Sequence, residues 1–208
     1  MNDMTTTPRG DAEGLEPIAP SGPTRAPDDR AAQFEREADG TRFPGLTPGL
    51  RITSVEGPRA VEDLTPGDFV LTRENGFQPV LWVGQRQVAG DQLSPALRPV
   101  RVERGALGPG VPTRPMVVAP RLRVTTHPDD ATAPMVPVGW LVGDTGIDAL
   151  NSDAVIYVVL GFEAPQVILA EGAWVDAPGL GERLGAGNAT LLSVFPELAF
   201  DETVLMDA

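Results

Sequence analysis

Glycine and proline recur so often beyond Phe43 that no long helix can be laid through the rest of the chain. Proline removes an amide donor and clashes with the preceding helical turn, and interior glycine weakens a helix through its backbone entropy. Between these punctuation points stand short apolar runs, the pattern of an all-β domain with short turns. In "DLTPGDFVLT" Pro66 and Gly67 occupy the central positions of a turn, proline first and glycine second, which suits type II geometry. "FVLTRENGFQPVLWVG" reads as two strands joined through Asn75-Gly76, a strong hairpin signal. "RPVRVE", "PMVVAP", "LRVTT", "APMVPV", "AVIYVVL" and "QVILAEG" are further strand candidates. The run Ala154 to Leu160 is continuously apolar, as expected of a buried strand.

Three segments follow from composition. Residues 1–42 are rich in Pro, Gly, Thr, Asp and Glu, with few apolar positions. Such a segment buries too little surface to offset the entropy of ordering it, so a disordered arm is expected, with "DDRAAQFERE" its one candidate short helix. Residues 43–180 form the β domain. Residues 181–208 form a short C-terminal tail or helix, with "PELAFDETVLM" the helical candidate; Leu191, Val194, Phe195 and Leu198 fall near helical spacing although Pro196 interrupts it.

Missing residue types restrict the chemistry. All 16 cations of the 208-residue chain are arginine, so Schiff-base and lysine-base catalysis are excluded. There is no cysteine, which removes disulfides, thiolate nucleophiles and thiolate metal ligands. His127 is the single histidine, too few for a multi-histidine metal site, and no cofactor is expected. A formal net charge of -13 without a basic stripe disfavours nucleic acid and anionic membrane surfaces. No apolar run approaches the ~20 residues of a membrane span. "MNDMTTTPRG" has neither a basic start nor an apolar core, so no signal peptide is expected. The default expectation is cytoplasmic, with signal-less export also compatible.

Four blocks in a fixed order carry a resemblance. They are "GLTPGLRITSVEGPRAVEDLTPGDFVLTRENG", "RPVRVERGALGPGVPTRPMVVAPRLRVTT", "VGWLVGDTGI" and "AVIYVVLGFEAPQVILAEGAWVDAPG". Together, over roughly Phe43 to Gly179, they resemble a bacterial Hint domain, the module shared by Hedgehog autoprocessing proteins and inteins. The resemblance implies a Hint-like β fold and, in active members, an acyl shift. There a thiol or hydroxyl on the first residue attacks the preceding carbonyl, while a histidine polarises the scissile amide or protonates its nitrogen.

Aligned on these motifs, this chain lacks each reacting group. The nucleophile position is Gly45, which has no side chain. The family's Ser-Pro-x-His series reads Ala119-Pro120-Arg121-Leu122. Val158 or Val159 stands for the histidine after tyrosine, and Pro165 or a neighbour for the one before the Glu-Val step. Asn188 precedes Ala189 without the histidine that splicing inteins place before their cyclising asparagine.

Few other groups could substitute. Thr47 would face the same side of a strand as Gly45, but Pro48 follows it, and a turn hydroxyl is the plainer reading; Ser54 is more remote. His127 lies an odd step from Leu122 and would face away from it, as an exposed turn residue or, with Asp129 and Asp130, a weak metal site. Arg98, Arg101 and Arg104, with Arg114, Arg121 and Arg123, suit either solvated strand faces or a docking patch for an acidic partner or the acidic arm. Trp82, Trp140 and Trp174 suit core or rim packing better than a binding box.

The sequence thus leads to a catalytically inactive Hint-like scaffold acting as a protein-binding or assembly module, through its arm or its tail. The alternative is an autoprocessing domain that cuts near Pro44-Gly45 with non-standard groups and releases the 44 residues before Gly45.

Overall fold

The computed structural model describes residues 43–180 except Ala96, together with Ala31, Ala32 and Phe34. The remainder of the 1–42 arm and the 181–208 tail, with Asn188 and the Leu191–Leu198 pattern, lie outside the described residues. Ala31, Ala32 and Phe34 are helical and fall within the short helix expected at "DDRAAQFERE".

Between Phe43 and Leu180 the described elements are strands and 3-10 turns. Two hairpins come first, β1 (Arg51–Ser54) with β2 (Gly57–Ala60) and β3 (Phe69–Thr72) with β4 (Gly76–Pro79). The loops are closed alike: Ser54 Oγ donates to the Gly57 carbonyl at 2.6 Å, and Thr72 Oγ1 to the Gly76 carbonyl at 2.6 Å. The expected Pro66-Gly67 turn is present, with Gly67 at φ 98° and Asp68 N–H bonded to the Thr65 carbonyl. The second hairpin differs by one residue from its two-residue expectation. Its loop is Arg73 to Asn75, and Gly76, at φ 66°, already opens β4.

The remaining strands are β5 (Trp82–Ala89), β6 (Val100–Val102), β7 (Met116–Val118), β8 (Arg123–Val124), β9 (Val136–Pro137), β10 (Ile147–Ala149), β11 (Ala154–Gly161), β12 (Gln166–Ala170) and β13 (Ala173–Ala177). An eight-stranded sheet runs β2-β1-β3-β12-β13-β8-β9, with β4 beside β3. β10-β6-β7 form a three-stranded sheet, and β11 with β5 a long two-stranded ribbon. The β12–β13 connection is a two-residue loop in which Glu171 and Gly172 both have positive φ, 48° and 79°. This is the mirror-image turn that matches strand twist.

Ile52, Val70, Val102, Val118, Leu122, Ile168 and Val175 are fully buried in the main core. A second, smaller cluster gathers Phe43, Val88, Ala119, Tyr157 and Val159. The apolar run of β11 is buried only from Tyr157 onward; Ile156 is 42% exposed. Its first half pairs with β5 alone, so one face of the ribbon meets solvent there despite the unbroken apolar sequence.

Candidate functional site

The segment Gly45–Leu46 joins two sheets. Leu46 exchanges both backbone hydrogen bonds with Val158 of β11, at 2.8 and 2.6 Å. On its other edge the Gly45 carbonyl accepts the Ala119 N–H at 2.8 Å, and Leu46 bridges to Val118. The chain thereby brings Gly45, Ala119 and Val158 together, three positions that the motifs had matched separately.

The volume beside Gly45 is occupied. A Cβ placed on this glycine would lie 2.7 Å from Phe43 Cε1 and 2.8 Å from both Tyr157 Cδ1 and Cγ. These are distances that real side-chain carbons do not adopt without displacement. The two rings meet edge to face at 5.4 Å, and the Arg86 guanidinium lies over the Phe43 ring at 5.9 Å. Tyr157 is fully buried, and its hydroxyl donates to the Leu97 carbonyl at 2.7 Å. Burial pushes its phenol well above the ordinary 10.0. Its proton is therefore both committed and hard to remove.

The positions that the sequence motifs align with histidines are likewise apolar. Leu122 is completely buried in the main core, with its N–H on the Ala119 carbonyl at 3.0 Å. Val159 shares the small cluster with Phe43, Ala119 and Tyr157, whereas Val158 belongs to the main core. Pro165 is exposed in the loop between β11 and β12. Sequence reasoning had treated Gly45 as a missing group. It missed that Phe43 and Tyr157 fill the space; the one available signal was a phenylalanine two residues before Gly45 and a lone tyrosine within the apolar run of "AVIYVVL".

Thr47 Oγ1 donates to the Val117 carbonyl at 2.8 Å, a turn role. Ser54 closes its own hairpin, as described above. His127 is exposed, with Nδ1 3.1 Å from Thr126 Oγ1 and its carbonyl accepting the Asp130 N–H. The Asp130 carboxylate accepts from the Thr132 hydroxyl and amide, which lowers its pKa. Among the described residues no group of three His, Cys, Asp or Glu side chains converges as a metal site would require.

The arginines are distributed over different elements. Arg98 and Arg104 are exposed; Arg101, on β6, pairs with Glu103 at 2.5 Å; Arg123 is exposed on β8. Arg114 reaches Glu171 at 3.4 Å. Arg121 is buried, its guanidinium 4.7 Å above the Phe34 ring. Trp82, Trp140 and Trp174 are all half-buried, and Trp82 packs against the small cluster.

The β body holds Gly45–Leu46 between sheet edges, beside the turn that carries Ala119 to Leu122. Residues 44–179 match the family model described as "Hint domain", and the chain belongs to that family. Solved structures similar to it include the gp41-1 intein, at 13% identity, TM-score 0.41, covering 64% of this chain and 97% of that one. A bacterial intein-like domain from Clostridium thermocellum is similar at 14% identity, TM-score 0.43, with 64% and 97% covered. The AceL NrdHF class 3 split intein, in a splice-inactive variant, is similar at 10% identity, TM-score 0.39, with 66% and 99% covered. No curated protein matches. Among the described residues no helix is long and apolar enough to cross a membrane.

Proposed function

We propose that this chain is a Hint domain that does not cleave itself and serves as a non-enzymatic protein-binding or assembly module. One observation carries the reading: the space a nucleophile at position 45 would need is taken by the Phe43 and Tyr157 rings. The wholly buried Leu122 in the histidine position adds to it. An acyl shift needs an attacking atom and a group that moves a proton at the scissile nitrogen. The side chains around Gly45 are instead those of a packed core. Retention of the fold without its reaction is consistent with use of the scaffold as a surface.

The test is the intact mass of the full-length protein after a day at room temperature, with and without hydroxylamine, which traps esters and thioesters. One full-length mass in both samples is the expected result. A fragment pair breaking before Gly45 or before Thr47 would favour autoprocessing with non-standard groups instead.

A further inference from the structure

The 3-10 turn Val138–Leu141 is held against the Ala119–Leu122 turn by two backbone hydrogen bonds. Val138 N–H bonds the Leu122 carbonyl at 2.9 Å and Gly139 N–H the Pro120 carbonyl at 2.8 Å. Between these turns lies a notch with Gly139 as its floor and Arg121 at its wall. The Phe34 ring occupies it. A Cβ on Gly139 would lie 2.6 Å from Phe34 Cε2 and Cζ, and its three nearest atoms all belong to that ring. The Arg121 guanidinium covers the ring at 4.7 Å, within cation–π range. One helical turn earlier Ala31 is 4% exposed, while Ala32 between them faces solvent. Ala31 and Phe34 therefore present one helical face, at i and i+3, to the body.

We propose that this notch is a docking site for a single helical turn with an aromatic anchor, and that its ligand is the chain's own N-terminal arm, through Ala31 and Phe34. Two features argue for a built site. A glycine stands where any side chain would exclude the ring, and a buried arginine supplies the ring with a cationic partner. The arm is thereby tied to the outer side of the turn that carries Ala119 and Leu122. The inference goes beyond the proposed function and holds whether or not the body cuts itself.

Hydrogen exchange of the full-length protein, read by mass spectrometry on peptides containing Phe34, tests it. The wild-type amides there should exchange about ten-fold or more slowly than unstructured chain. Gly139→Ala puts a methyl group into the ring's place and should abolish that protection while leaving the exchange of β11 and β12 unchanged. Phe34→Ala, which alters only the arm, should do the same. The double variant should lose no more than either single one. Free-chain exchange in the wild type, or unchanged protection in both variants, overturns the proposal. Protection that fades on dilution overturns it too, by assigning the bound turn to a second copy. Intact mass of the same samples reports self-cleavage separately, so failure of this docking and failure of the non-cleaving reading are distinguishable.

Discussion

Tyr157 stands where a side chain on Gly45 would have to be, its Cγ and Cδ1 only 2.8 Å from the position of a Cβ there. The φ of Gly45 is not in the left-handed region, so the backbone would accept any residue and only space forbids it. Gly45→Ala should therefore cost about 1–3 kcal/mol through overpacking, read as a lower urea midpoint with an unchanged slope. Gly45→Cys should be no more active: its thiol would enter an apolar cluster. Leu122→His should cost about 2–5 kcal/mol through a vacated and partly polar core position. Full-length mass in Gly45→Cys and in Leu122→His, with hydroxylamine present, is the expected outcome.

Alkaline unfolding should depend on one side chain. Tyr157 is the only tyrosine, and the chain has no lysine or cysteine. Between about pH 10 and 12 it is thus the one side chain type left to titrate before arginine. Burial raises its folded pKa above the unfolded 10.0, so the unfolded state releases the proton first. Stability is fully present below the unfolded pKa and falls as pH rises beyond it. Tyrosinate absorbance should appear together with loss of tertiary circular dichroism, not before it. In Tyr157→Phe the fall with pH should disappear, against a loss at neutral pH of about 1–3 kcal/mol from the unsatisfied Leu97 carbonyl.

At the acid end Asp68 matters. The Thr65 N–H donates to its carboxylate at 2.7 Å, with the Thr65 hydroxyl at 3.0 Å and Arg59 at 2.6 Å adding to it, and these hold its pKa below 3.8. Its contribution is present above the unfolded pKa and lost as pH falls through the folded one. Asp68→Asn should lower stability at neutral pH and flatten the decline below about pH 4, measured by urea melts across that range.

Glu171 is a buried carboxylate with a structural task. Its Oε1 accepts the Arg51 N–H at 2.9 Å, and its own carbonyl accepts both the amide and the hydroxyl of Thr113. Glu171→Ala leaves the Arg51 amide without that acceptor and should cost about 1–3 kcal/mol. Glu171→Gln keeps an oxygen in place and should cost clearly less in the same denaturant titration.

Much of the β architecture was legible because turns write themselves in glycine and proline. The Pro66-Gly67 turn and six quoted strand candidates, from β6 to β12, stand where punctuation and apolar runs put them. The hairpin β1–β2 was not read as strands, since "RITSVEGPRA" is mostly polar; its register comes from β3 and β12 beside it. The short strand β10 carries Asp148 and gives no alternation to detect. At the site, Gly45 and Leu122 could be picked out by motif. Which face of "AVIYVVL" Tyr157 takes depends on how the ribbon crosses the Gly45 segment, and that is a property of packing. The notch at Gly139 was illegible for the same reason: a glycine before Trp140 shows a gap in the side-chain layer, not what fills it.

The link through Gly45–Leu46 has a mechanical side. This short segment is hydrogen-bonded to Val158 on one edge and to Ala119 on the other, immediately after the buried Phe43. Tension applied through the preceding chain along the strand direction would load these bonds in parallel, as shear, instead of peeling them one at a time. The β domain is thus joined to the chain ahead of it by a gripped strand, and the strength of that grip resides in the paired backbone of Gly45 and Leu46.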